Sequence, residues 1–169
     1  MIDLSLVICS LPHRTEKLKK LLDVLMPQLN DKTELIIISD QSKQSEKLNR
    51  IRKIIKGKYT VIIDDDDLVS DNFIKSILQH TNRDLDMIGY TIFYKEGNLL
   101  ENTDNQKPYR FIHHTYRTSI LKQFPASDAF WDPPYVYSLD IKTWFFIKET
   151  LYYYMYDSSD TAQNSKQYE

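Results

Sequence analysis

The sequence predicts an α/β protein, a single domain in which helices flank a mostly parallel sheet. Three observations carry that prediction. Short apolar runs rich in β-branched residues recur at Leu4 to Cys9, Leu35 to Ile38 and Val61 to Ile63. Runs of that length without polar alternation suit strands buried on both faces. A stretch with apolar residues at helical spacing follows each run, and the connections are short, so the order reads β-α-β-α-β-α. Such alternation builds a parallel sheet.

The elements follow in order. Leu4 to Cys9 is the first strand, and Pro12 in the turn Ser10 to Arg14 forbids its continuation. Thr15 is placed to cap a helix carrying Leu18, Leu21, Leu22 and Leu25, which ends at Pro27. After the second strand, Ser42 or Ser45 is placed to cap a helix with Leu48, Ile51, Ile54 and Ile55 on one face, stopping at Gly57. The third strand runs into four consecutive carboxylates, Asp64 to Asp67. Ser70 and Asp71 then cap a helix that turns Phe73, Ile74, Ile77 and Leu78 inward. The second half is less regular. Leu85 to Tyr94 reads as a strand, Glu96 to Asn98 as a turn, Leu99 to Lys107 as a mobile polar stretch, and Tyr109 to Thr115 as another strand. A short helix is expected over Arg117 to Gln123, a loop over Ala126 to Tyr137, a helix from Ser138-Leu139-Asp140 through Lys148, and an aromatic strand over Leu151 to Tyr156.

Composition bounds the answer. At 169 residues the chain fits one domain, here residues 1–159, with a polar tail at 160–169 expected to fray. With 41% apolar and 27% charged residues it reads as globular, and a net charge of −2 gives no global basic field for nucleic acid or membrane. The lone Cys9 excludes a disulfide framework and reads as a buried, inert thiol. No apolar stretch approaches the ~20 residues of a membrane span, nothing resembles a signal peptide, and the cytoplasm is the expected compartment. Three glycines and no glycine-rich loop argue against a P-loop or a dinucleotide fingerprint.

The chemistry concentrates at Asp64, Asp65, Asp66 and Asp67. Adjacent carboxylates repel and resist burial unless something positive compensates them. In extended chain, residues two apart share a side, so Asp64 and Asp66 face one site and Asp65 and Asp67 the other. Hard oxygen donors at a strand end suit Mg²⁺ or Mn²⁺ with phosphate oxygens completing the shell. The competing reading is a solvated acidic corner. Ligands of open α/β sheets lie beyond the carboxyl ends of the strands. Those ends here carry Ser10 to Arg14, Asp40 to Ser42 and the Asp run, three polar segments that converge on one edge.

Those motifs resemble a family 2 glycosyltransferase of the GT-A fold. Leu4 to Arg14 resembles the family's first strand and nucleotide-contacting turn, Ile36 to Ser42 its Asp-x-Ser strand, and Lys56 to Asp67 its Gly-x-Tyr strand with the Asp-x-Asp motif. Ser138-Leu139-Asp140 stands where the family has Glu-Asp, with Leu139 in place of the Glu, and Leu48 stands where an Arg is common. The resemblance implies a metal-dependent, inverting enzyme using a nucleotide-diphospho-sugar, UDP favoured. It implies Mn²⁺ or Mg²⁺ on Asp66 and Asp64; donor contacts from Ser10, Pro12, Arg14, Asp40, Asn49, Asp64 and Asp65; and Asp140 as general base. Asp132 and Asp128, in the preceding loop, are the alternatives for the base. The acceptor class and any oligomeric state stay open. A non-catalytic nucleotide-sugar or metal-binding module and a metal-dependent nucleotidyl- or phosphotransferase are the rival functions.

Other features have plainer readings. The basic run from Lys43 to Lys58 reads as the wet face of a helix, and Tyr152 to Tyr154 as strand residues rather than a sugar platform. His113 and His114 read as ordinary strand histidines. Neighbours in a strand point opposite ways, so both cannot serve one ion.

Overall fold

The computed structural model describes residues 1–94, 97–101, 107–125 and 132–155. The expected tail at 160–169, Glu96, Asp128, Trp131, Tyr156 and most of the polar stretch before Lys107 lie outside those residues. The first half follows the alternating pattern: β1 (Leu4–Ser10), α1 (Thr15–Leu25), β2 (Thr33–Ser39), α2 (Gln44–Ile51), β3 (Tyr59–Asp64), a two-residue β4 (Leu68–Val69) and α3 (Phe73–Leu78). The second half gives β5 (Met87–Tyr94), β6 (Leu99–Leu100), β7 (Thr115–Arg117), α4 (Asp132–Ser138) and β8 (Trp144–Tyr154).

The strand order is β2-β1-β3-β7-β5-β8-β4, with β6 on β5. The sheet is mixed: β1 is parallel to β2 and β3, and β5 to β8, while β7 lies antiparallel between β3 and β5. β1 is buried at every residue, which explains why it is apolar apart from Ser5 and Ser10. Leu4, Leu6 and Ile8 face α1 and α3 through Leu21, Leu25, Phe73 and Ile77. Val7 and Cys9 face the other side, with Leu48 and Ile51 of α2. Helices α1 and α2 therefore cover opposite faces, and the crossovers diverge between β1 and β3, the position where open sheets bind ligands. Gly57 is required by close approach: a Cβ there would lie 2.3 Å from Ser5 Oγ. Burial pushes the Cys9 thiol up to about 12, consistent with an inert core residue.

Several boundaries differ from the sequence expectation. The N-caps of α1, α2 and α3 are Arg14, Lys43 and Asn72, none with a side-chain capping bond. The expected caps are otherwise engaged: Thr15 Oγ1 donates to Pro12 O, Ser42 to Asp40, and Ser70 Oγ to Asn72 Oδ1. Helix α2 ends at Ile51, which leaves Ile54 exposed. Of the strand expected over Tyr109 to Thr115, only Thr115 is in a strand, as the first residue of β7. The largest change concerns the stretch after Ala126. The helix expected from Ser138 through Lys148 is replaced by strand β8, and a helix, α4, occupies part of the expected loop. Pro133 and Pro134 lie in the first turn of α4, where a missing N–H costs nothing. Arg110 closes its far end by donating from Nη1 to the carbonyls of Val136, Tyr137 and Leu139. Trp144 to Ile147 pairs with β5 in parallel, so a tertiary partner overrides local helical preference.

Candidate functional site

The four carboxylates after β3 separate into two pairs. The side chains of Asp64 and Asp66 are 29% and 21% exposed, while Asp65 and Asp67 are each 2% exposed. The buried pair is held by donors. Ser10 Oγ donates to Asp65 Oδ2 at 2.7 Å and Arg14 Nη1 to Asp65 Oδ1 at 2.8 Å. Tyr152 Oη donates to Asp67 Oδ2 at 2.6 Å and the Met155 N–H to Asp67 Oδ1 at 2.7 Å. The open pair is lightly held: Gln44 Nε2 donates to Asp64 Oδ1 at 2.8 Å, and Arg14 and Lys17 stand 3.5 and 3.9 Å from Asp66 Oδ2. Exposure alternates along the run, but the sides do not: β3 ends at Asp64, and a turn closed by Asp67 N–H to Asp64 O folds Asp67 back beside Asp64 rather than away from it.

This geometry leaves negative charge under-compensated. Burial, then the neighbouring carboxylates, pushes Asp66 up to about 6 and raises Asp64 and Asp67 as well. His113 faces the same place. Its Nδ1 donates to Ile62 O at 2.9 Å and its Nε2 lies 3.5 Å from Asp64 Oδ2. Burial lowers its pKa to about 4, so the ring is neutral. Ligand atoms of Asp64, Asp67 and His113 lie within 4.8 Å of one another. Two carboxylates and one neutral imidazole are a donor set that suits a divalent ion, so the residues fit the metal the motif implies.

Beside the Asp run, Asp40 is anchored by Ser42 and by Arg50, whose Nη2 lies 2.6 Å from Asp40 Oδ2. The Ser42 hydroxyl, helped by Arg50, holds its pKa down to about 2 although burial pushes the other way. Lys47 departs from the wet-face reading of its helix. It is buried and donates from Nζ to Ser10 O at 2.6 Å, joining β1 to the second strand end. Asn49 spends both ends of its amide on the backbone of Phe124, at 2.9 Å each, which makes it a brace for that segment. Pro12 opens the single turn between β1 and α1.

The two candidates for the base part company. Asp140 does not open a helix. It lies between α4 and β8, is 73% exposed, and pairs with Lys142. The next residues, Lys142 and Thr143, donate their N–H groups to Asp86, just before β5. β5 is parallel to β3 through β7, so Asp140 sits at the amino end of the strands, opposite Asp64. The six residues of β3 alone separate the two ends by roughly 17–20 Å. Asp132, the first residue of α4, is half-buried, and its charge acts directly on Asp64 and His113. Burial raises its pKa.

The family model for glycosyl transferase family 2 matches residues 15–135. The chain belongs to that family. Among solved structures, TarS of S. aureus in complex with UDP-GlcNAc superposes with a TM-score of 0.71 at 12% identity, covering 97% of this chain and 61% of that one. A second TarS structure gives 0.70 at 13% identity, over 92% of this chain and 37% of that one. A197 from STIV gives 0.56 at 13% identity, over 93% of this chain and 87% of that one. These likenesses show the GT-A fold. This chain spans no more than 61% of the TarS chains it matches in those two structures. No curated protein sequence matches it.

Three residues beside the Asp run are not marked as such by the sequence. His113 reads as a strand histidine there, but it lies before β7 in irregular chain. Tyr152 carried a signal only as part of an aromatic run. Gln44 carried none, because its reach to Asp64 depends on how α2 docks.

Proposed function

We propose that this chain transfers a sugar from a nucleotide-diphospho-sugar, a UDP-sugar, to an acceptor hydroxyl with inversion, and that it requires Mn²⁺ or Mg²⁺. The observation that supports this best is the open pair Asp64 and Asp66 beside His113, within electrostatic range of Asp132, at the ligand-binding edge of a family 2 fold. The UDP-GlcNAc complex of TarS supports the choice of UDP.

Asp64 and Asp66 would hold the ion beside the donor's diphosphate. The chemistry a divalent ion supplies there is neutralisation of charge on the departing diphosphate, worth several kcal/mol. Asp40, levelled by Ser42 and Arg50, contacts the nucleotide beside the Pro12 turn. Ser10 and Asp65 act on the donor through Arg14, whose guanidinium they hold toward Asp66. Asp132 is the base we assign in place of Asp140. Its carboxylate accepts the acceptor's hydroxyl proton while that oxygen bonds to the anomeric carbon. The bond from that carbon to the diphosphate oxygen breaks on the opposite side, and UDP leaves with the electron pair. A carboxylate with a raised pKa is suited to this role, which contributes roughly 10²–10⁴ in rate.

The test is a thermal-shift panel of nucleotides and nucleotide sugars with and without Mn²⁺, followed by product analysis. A metal-dependent rise in Tm with UDP-sugars and release of free UDP support the reading. Pyrophosphate release would indicate a nucleotidyl route, and binding without any product a non-catalytic module.

A further inference from the structure

We infer that His113 supplies a nitrogen ligand to the divalent ion of this site and that Tyr152 is the residue that positions it. The inference rests on the metal-dependent reading above. Ile62 O can only accept, so the Nδ1 that lies 2.9 Å from it carries the proton. The Nε2 lone pair therefore points at Asp64 Oδ2, 3.5 Å away. Two lone pairs at that separation repel unless something positive lies between them. Two ligand atoms each about 2.1 Å from a shared ion stand roughly 3.0–3.5 Å apart at octahedral to tetrahedral angles, so the observed gap is the width of an ion's coordination edge. The hydrogen bond from Nδ1 to a backbone carbonyl is the usual outer-shell partner of a ligating histidine.

One side chain touches Asp64, Asp67 and His113 together. Tyr152 Oη donates to Asp67 Oδ2 at 2.6 Å and accepts the Asp64 N–H at 3.2 Å. Its ring stacks on that of His113, centroids 4.6 Å apart and planes 14° from parallel. Tyr152 is itself fully buried and is fixed by its pairing with Val69 of β4 and Ile92 of β5. Mg²⁺ and Ca²⁺ take oxygen ligands, whereas Mn²⁺, a first-row transition metal that also suits carboxylates, accepts an imidazole nitrogen more readily, so one histidine among carboxylates favours Mn²⁺ over those two ions.

The experiment uses the full chain labelled with ¹⁵N-histidine, loaded with Mn²⁺ and UDP, and pulsed electron paramagnetic resonance. The expected result is a ¹⁵N coupling to Mn²⁺ that disappears in His113→Gln, with Mn²⁺ bound at least ~10-fold more tightly than Mg²⁺. Tyr152→Phe keeps the ring and loses the hydroxyl. It should weaken Mn²⁺ binding about 10-fold while the histidine coupling persists. Retained Mn²⁺ without histidine coupling in the labelled parent protein overturns the assignment of His113 and leaves the oxygen-donor site standing. That measurement decides the point even if His113→Gln does not fold. Unchanged Mn²⁺ affinity in Tyr152→Phe overturns the role of Tyr152. No Mn²⁺ retention by the parent protein sinks the metal-dependent reading itself.

Discussion

The two ends of the sheet both carry clustered aspartates, and they treat them in opposite ways. At the amino end of β5, Arg117 Nη1 lies 2.7 Å from Asp84 and its Nε 3.4 Å from Asp86, while Lys58 stands 3.5 Å from Asp84. Asp86 Oδ2 also accepts the N–H groups of Lys142 and Thr143 and the Thr143 hydroxyl. Arg117 lowers the Asp84 pKa. For Asp86, burial pushes upward but is outweighed by those backbone donors, so its pKa is lowered too. At the carboxyl end of β3, burial and mutual repulsion raise Asp64, Asp66 and Asp67. The residue type is the same, and the supply of donors differs. Where donors suffice, the carboxylates brace the fold. Where they fall short, the deficit is what a cation can fill.

Exchanging candidates across the two ends is the strongest way to break this comparison. Asp132→Asn, at the carboxyl end, should cut donor turnover with the true acceptor by roughly 10²–10⁴ with little change in donor binding. Asp140→Asn, at the other end, should stay within about twofold of the parent. Turnover measured in both variants side by side checks this, and the reverse pattern would return the base to Asp140.

Next in size, Asp64→Asn should reduce metal-dependent turnover about 100-fold or more while leaving the metal-free Tm equal or higher, because a repelling charge is removed. A melt in EDTA and a turnover assay in Mn²⁺ test the two halves. A variant that melts early yet turns over normally would make Asp64 a structural residue like Asp84.

Arg117→Ala should do the converse. The part-buried charge-assisted bond from Arg117 Nε to Leu85 O is worth about 1.5–3 kcal/mol, and a chain of this size loses about 2–4 °C per kcal/mol, so Tm should fall by roughly 3–12 °C with nucleotide affinity unchanged. Calorimetry with UDP on the folded variant provides the check, and a large loss of affinity would show the two ends to be coupled.

The smallest effect is in acid. Asp84 and Asp86 have folded pKa values below their unfolded ones, so their stabilisation is fully present above about pH 4 and is lost as pH falls through the folded values. The gap in Tm between the parent and Arg117→Ala should therefore narrow below about pH 4. A constant gap down to pH 2 would show that Arg117 acts through packing alone.

The first half of the chain was legible because its information is local. Buried runs of β-branched residues, helical spacing and a polar residue after each strand specify β1 to α3 without reference to distant partners. The alternation of four aspartates likewise reads directly as two sides, and the fold made one pair open and the other buried. The second half was not legible in the same way. Trp144 to Ile147 has the apolar content of either a helix or a strand, and pairing with β5 decides it. Pro133 and Pro134 look like loop residues until Arg110 supplies the far end of a helix.

By itself, then, the sequence determined the α/β class, the order of its first six principal elements, and the strand end at which acidic chemistry collects. Only the tertiary structure decided which other groups meet that acid. His113 reaches Asp64 across 49 residues, Asp132 comes within electrostatic range of it across 68, and Tyr152 reaches Asp67 across 85. Each depends on the placement of β7, α4 or β8 against distant strands. Such pairings are set by the burial of whole faces. No local pattern of residue types encodes them.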